Sequence, residues 1–232
     1  RTFAFTKNTC LWFRLVFIRD GEVTAQSQAV KLTCCIDRDT HAYINVSANG
    51  QCTGFEDQLA HEPDLNIFGN QKNVQVTVGA RDHQSGVYAV QYLVMDYDEF
   101  QFLSRDQMKS FLERQNQWIS VLDANEKKID IDEKRQIIFV KAIDLVGNVS
   151  YASTEGIVVD GQAPAHPVLT VKDPVKNHIY NKDVEILFDT SDVYEHSDCF
   201  SGIEQVKFQC FLKSEKGLQE AWSKVIAGAV KN

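Results

Sequence analysis

Ser85-Gly86-Val87-Tyr88-Ala89-Val90-Gln91-Tyr92 returns as Ser201-Gly202-Ile203-Glu204-Gln205-Val206-Lys207-Phe208, an offset of 116 positions. Working outward, Asn73-Val74-Gln75-Val76-Thr77-Val78 returns as Asp183-Val184-Glu185-Ile186-Leu187-Phe188, and Trp118 returns as Trp222. Asp20 with Gly21-Glu22-Val23-Thr24 corresponds to Asp144 with Gly147-Asn148-Val149-Ser150. Stretches that recur in the same order mark one structural unit used repeatedly. The chain therefore reads as a tandem array, and the fold class follows from the unit.

Within the central copy, Val74, Val76 and Val78 alternate with Gln75 and Thr77, the period of a half-buried strand. Val87 to Val94 is β-branched and aromatic, with Tyr88, Val90, Tyr92 and Val94 on one face. Ile137 to Ile143 is apolar on both faces apart from Lys141. Asp144-Leu145-Val146-Gly147-Asn148 reads as a hairpin loop, since Gly and Asn accept the positive φ that such loops require. Tyr151 to Val159 is the returning strand, and Asp160-Gly161-Gln162-Ala163-Pro164 closes the unit. Ser104 to Gln115 alone reads as helical, with Ser104 as cap and Met108, Phe111 and Leu112 at helical spacing. Many short strands separated by turns predict an all-β sandwich.

Ala142-Ile143-Asp144-x-x-Gly147-Asn148-Val149-Ser150-Tyr151, continued by Gly156-Ile157-Val158-Val159-Asp160-x-x-Ala163-Pro164, resembles the end of the bacterial immunoglobulin-like repeats of Gram-positive surface proteins. The upstream turn Asp82 to Val87, the helix and Trp118 extend the resemblance. It implies tandem immunoglobulin-like β-sandwich repeats with one short helix per repeat. Residues 1–40 would be the last strands of a first repeat, 41–164 a complete repeat, and 165–232 the first strands of a third. In the first copy Gly21-Glu22 replaces Gly-Asn, and Asp37-Arg38-Asp39-Thr40-His41 replaces Asp-x-x-Ala-Pro. The resemblance further implies a secreted or cell-surface location. The function expected from it is non-enzymatic, a spacer, stalk or adhesive module. The alternative is an accessory, carbohydrate-binding module of a secreted multidomain hydrolase. Expected partners are neighbouring repeats and a host protein or glycan. The start of one molecule could also complete the end of another, a head-to-tail self-association.

Composition narrows the other classes. The chain has 232 residues, 44% hydrophobic, and a net charge of −8. No Lys/Arg stripe interrupts this acidity, so nucleic acid is not an expected partner. The apolar run Cys10 to Ile18 is broken by Arg14 and too short to cross a bilayer, so no membrane insertion is expected. Arg1-Thr2-Phe3-Ala4-Phe5 resembles neither a signal peptide nor a start, as in a piece of a longer protein.

No catalytic, cofactor or metal residues are expected. The chain has no nucleophile elbow, phosphate loop or helical zinc motif. His196-x-x-Cys199 with Cys210 offers only three zinc ligands. The acidic loops Asp96 to Glu99 and Asp192 to Asp198 lack the spacing of a calcium loop. The Asp144–Asn148 loop is expected to be structural, with Asp144 accepting loop amides. Among the six cysteines (Cys10, Cys34, Cys35, Cys52, Cys199 and Cys210), Cys34, Cys35 and Cys210 align with aliphatic strand positions and read as buried hydrophobes. A bridge between Cys10 and Cys34 or Cys35 is the alternative. Trp118 and Trp222 are expected at one shared core position. Phe100 and Phe102 could form a carbohydrate platform; burial beneath the helix is the plainer reading.

Overall fold

The computed structural model describes residues 8–122, 124–172, 174, 183–190 and 199–230. It is mostly β, about 55% strand and 5% helical. Strands β1 (Thr9–Phe13) and β4 (Val30–Cys34) form one antiparallel ribbon, and β2 (Val16–Arg19) and β3 (Glu22–Gln26) another. From His41 onward two sheets face one another. The first has the order β11–β8–β5–β6, built from β5 (His41–Ala48), β6 (Gln51–Glu56), β8 (Val74–Arg81) and β11 (Glu126–Ile129). The second runs β10–β9–β12–β14–β7, with β7 (Leu65–Gly69), β9 (Val87–Asp96), β10 (Ile119–Ser120), β12 (Arg135–Asp144) and β14 (Gly156–Val159). Strand β13 (Val149–Ser153) pairs with the other end of β12.

Alternation places the core. Ile44 and Val46 of β5, with Val74, Val76 and Val78 of β8, meet Ile138, Val140 and Ala142 of β12 between the sheets. The intervening residues Ile137 and Phe139 point the opposite way and pack under helix α1 (Arg105–Leu112) with Phe100, Met108 and Leu112. This is why β12 is apolar on both faces: each face covers a separate cluster. The helix is held at its start by Ser104, whose side chain accepts from the Gln107 amide while Gln107 reaches back to the Ser104 amide.

Several expectations change. The return after the Asp144 loop is two strands, because Thr154 turns aside to bond Ile138 through its hydroxyl and its amide. Strand β14 then pairs in parallel with β7. Glu126–Ile129 forms strand β11, which pairs with β8 at the edge of the first sheet. Further along, β15 (Val168–Val171) pairs with β16 (Ile186–Asp189), and β17 (Ile203–Ser214) turns directly into β18 (Gly217–Val230). No second α-helix occurs among the described residues. Tyr92 to Trp118 spans 26 positions but Phe208 to Trp222 only 14, so the later hairpin has no room for one.

Cys10, Cys34, Cys35, Cys52 and Cys210 are free thiols. In the β1–β4 ribbon Cys10 lies opposite Thr33, and Cys34 opposite Thr9. Successive side chains alternate faces, so Cys10 and Cys34 point to opposite sides and cannot be bridged in this register. Cys35 contacts Gln84 Oε1 instead, at 3.4 Å. Nor are the three aligned cysteines buried: Cys34 and Cys210 are half-buried and Cys35 is exposed. Their strands belong to two-stranded ribbons or adjoin them, and a lone ribbon cannot enclose a side chain.

The tryptophans also diverge. Trp118 is half-buried and packs against Tyr151, ring centroids 6.2 Å apart. Trp222 is 55% exposed, opposite Cys210 in the β17–β18 ribbon. Trp118 lies against the Lys141 and Tyr151 side chains of β12 and β13. No helix of the described residues is long and apolar enough to cross a membrane.

Candidate functional site

Three loops meet where the segment ending in Asp37 reaches the β5–β14 unit. In the β8–β9 loop, Asp82 Oδ1 accepts the amides of Gln84 at 3.0 Å and Gly86 at 2.5 Å. Gly86 has φ +92°, which a side chain would resist. In the β12–β13 loop, Asp144 Oδ1 accepts from Val146 and Asn148 at 2.9 and 2.8 Å, and Asn148 Nδ2 donates to Oδ2 at 2.6 Å. Gly147 has φ +92°, as expected of this loop. The Leu145 amide donates to the Gly86 carbonyl at 3.0 Å and ties the two loops together.

The third element is the linker. Asp37 Oδ2 accepts the Ser85 amide at 2.9 Å, and Oδ1 accepts the Asp39 amide at 3.3 Å. One carboxylate oxygen each from Asp37, Asp82 and Asp144 then lies within 4.8 Å of the other two. The Ser85 side chain is the chief influence holding the Asp37 carboxyl below the ordinary range; burial opposes it and nearby amides assist. Asp144 is 2% exposed. Its burial pushes the pKa up, but the Asn148 amide and side chain, with the Val146 and Gly147 amides, outweigh that and leave it below the ordinary value. Both groups stay ionised at neutral pH. The Asp82 Oδ2 oxygen is closed off from solvent and accepts no hydrogen bond among the described residues.

The same linker geometry occurs again. Asp160 Oδ2 accepts the Ser201 amide at 2.9 Å and its hydroxyl at 2.8 Å, while Oδ1 accepts the Gln162 amide at 2.9 Å. Asp160 is 7% exposed.

A second cluster lines a cleft of about 710 Å³ bounded by His41, Asp57, Lys109, Lys141, Ser150 and Tyr151. His41 Nδ1 bonds Asp57 Oδ2, and Ser150 Oγ donates to Asp57 Oδ1 at 2.6 Å. The bond to Asp57 raises the His41 pKa; burial opposes it, and the charges of Asp57, Glu56 and Asp39 add to it. The carboxylate sits between the hydroxyl and the imidazole, so His41 is not placed to take the Ser150 proton as a general base would.

The sequence candidates fall elsewhere. Asp96 caps a short turn through the Asp98 amide, and Asp98 pairs with Arg135 at 2.5 Å, so this acidic loop is occupied by its own contacts. His196 and residues 192–198 lie outside the described residues; Cys199 donates to the Glu133 carbonyl at 3.6 Å. Phe100 is buried against Phe111 and Phe139 while Phe102 is 80% exposed, so the two do not form one platform. Sequence reasoning missed the convergence of Asp37 and Asp82 with Asp144. The signal available was that Asp37 and Asp160 end equivalent segments, and that each Ser-Gly turn follows an Asp.

No family model, no curated protein and no solved structure matches the chain.

Proposed function

We propose that the chain is a run of immunoglobulin-like repeats from a bacterial cell-surface or secreted protein, serving as a spacer, stalk or adhesive module without catalytic activity. The observation that carries this is the duplicated junction. Ser85 to Asp37 and Ser201 to Asp160 are both amide-to-carboxylate bonds of 2.9 Å, each beside a second bond from the amide two residues after the Asp. A terminal Asp that receives the Ser-Gly turn of the next unit fixes one unit against its neighbour in the same way each time, which is what a spacer needs.

Strand registers support the same division. Ile44, Asn45 and Val46 face Val78, Thr77 and Val76; Leu169, Thr170 and Val171 face Phe188, Leu187 and Ile186. The later pair repeats the earlier one residue for residue against the Val76/Ile186 equivalence. The exposed apolar side chains Trp12, Phe17, Leu212 and Leu218 are the surfaces that neighbouring repeats would cover.

Small-angle scattering of the 232-residue chain tests the reading. A string of units gives a radius of gyration well above the roughly 17 Å of one compact domain this long. A single compact particle would sink it. Glycan binding abolished by Phe102→Ala would move the assignment to the accessory-module alternative.

A further inference from the structure

We propose that the cleft between helix α1 and the β12–β13 hairpin binds a uronic-acid-bearing saccharide, whose carboxylate Lys141 and Lys109 hold. This names a ligand class for the adhesive module proposed above and rests on that reading. The cleft, about 710 Å³, falls within the roughly 300–1,000 Å³ usual for ligand sites. Lys141 carries the argument. It is the charged residue of Ile137 to Ile143, a stretch otherwise apolar on both faces of β12, and it is half-buried. Its ammonium lies 5.7 Å from the Trp118 ring centroid, and among the described residues it has no carboxylate within ion-pair distance. An ammonium that gives up water without an opposite charge beside it is costly, and a bound anion removes that cost. Lys109, in the last turn of α1, lines the same cleft. It too makes no ion pair among the described residues, although Glu113 follows it at helical spacing.

The rest of the wall suits a polyhydroxylated ligand rather than a bare anion. Asp57 is used within the wall itself: Oδ1 accepts the Ala42 amide at 2.9 Å and the Ser150 hydroxyl at 2.6 Å, and Oδ2 bonds His41 Nδ1. These bonds fix the imidazole and leave its Nε2 without a partner among the described residues. Glu113 adds a carboxylate that can accept from sugar hydroxyls. Tyr151 is half-buried in the cleft, its ring centroid 6.2 Å from that of Trp118, so an aromatic surface adjoins the Lys141 ammonium. A sugar ring that carries its own carboxylate meets both at once, its C–H face on the aromatic ring and its charge on the lysine. The chain as a whole carries a net charge of −8, which disfavours anions at long range. Binding of an acidic sugar would therefore be the work of this cleft and not of general attraction.

Titration of the whole chain followed by NMR, in about 0.15 M salt, tests it with a tetrasaccharide of alternating glucuronic acid and N-acetylglucosamine. The same tetrasaccharide with its carboxyls reduced to alcohols, and a glutamate tetrapeptide, are the comparisons. The acidic tetrasaccharide should bind with a Kd of about 1 mM or tighter, and each comparison at least about tenfold more weakly. Lys141→Met keeps the apolar stem and loses the charge, and should weaken binding at least about tenfold. Lys109→Met, on the exposed side of the helix, should weaken it about threefold, and serves if the Lys141 variant does not fold. Lys72→Met, in the exposed turn between β7 and β8, should leave it unchanged. No binding at about 10 mM, equal affinity for the reduced tetrasaccharide or the glutamate peptide, unchanged affinity in folded Lys141→Met or Lys109→Met, or an equal loss in Lys72→Met each overturns the proposal. Any of these leaves the tandem-repeat reading standing, since scattering decides that separately.

Discussion

The Ser85 amide donates to Asp37 Oδ2 across 48 positions of sequence, at 2.9 Å. This bond links the linker before β5 to the turn between β8 and β9, so its loss should be felt locally at that turn. Asp37→Ala is expected to speed hydrogen exchange at the Ser85 amide and leave Ser201 unchanged. Asp160→Ala should do the reverse. Exchange followed by mass spectrometry or NMR checks both, and equal protection of Ser85 in wild type and Asp37→Ala would show that the contact does not persist in solution.

His41 and Asp57 make stability depend on pH in a definite direction. The folded pKa of His41 is raised above its ordinary 6.5, chiefly by the Asp57 bond. The folded state therefore binds the proton more tightly than the unfolded chain. That contribution is fully present below pH 6.5 and is lost as pH rises through the folded value. Urea midpoints measured from slightly acidic to mildly alkaline pH should fall across this window, and His41→Gln should flatten the step. A step of equal size in His41→Gln would assign it to another group.

Burial separates three side chains that sequence alone treats alike. Phe139 is fully buried between Phe100 and the helix, so Phe139→Ala should cost about 3–5 kcal/mol. Trp222 is mostly exposed, and Trp222→Ala should cost about 0.5 kcal/mol or less. Ser104→Ala removes the helix cap and should cost about 1 kcal/mol. Urea unfolding of the three variants measures the order, and a Trp222 loss matching Phe139 would place that tryptophan in a packed core.

What could be read directly from the residues was local. The alternation of Val74, Val76 and Val78, the two apolar faces of Ile137 to Ile143, the Ser104 cap and the Gly147 turn each follow from neighbours a few positions apart. What escaped depends on partners far along the chain. A register one residue from the expected one sent Cys10 and Cys34 to opposite faces, since strand side chains have a period of two. Strand β14 pairs with β7, about 90 positions earlier, through Ile157 and Ile67, and nothing in either stretch announces it. The meeting of Asp37, Asp82 and Asp144 is of the same kind: each loop was recognisable as a turn, but their convergence requires the sheets to be assembled.

Gly79 offers the sharpest packing test. It lies in β8 opposite Tyr43, and an added Cβ would sit 2.5 Å from the Tyr43 ring and hydroxyl and 2.8 Å from the Asn125 carbonyl. The ring has little freedom to retreat, because its hydroxyl donates to Glu126 Oε2 at 2.5 Å and Arg81 stacks over it with its guanidinium carbon 4.8 Å from the centroid. Burial first, and then the Glu126 bond, push the Tyr43 pKa up to about 12. Gly79→Ala should therefore destabilise the unit by about 1–3 kcal/mol, as overpacking does, and free the Tyr43 hydroxyl from Glu126. Tyr43 should then titrate nearer the ordinary 10. Ultraviolet difference titration, with Tyr43→Phe to identify the signal, reads the second effect apart from the first. An alanine variant of unchanged stability whose Tyr43 still ionises near 12 would show that β8 and β5 are not held as closely as this register requires.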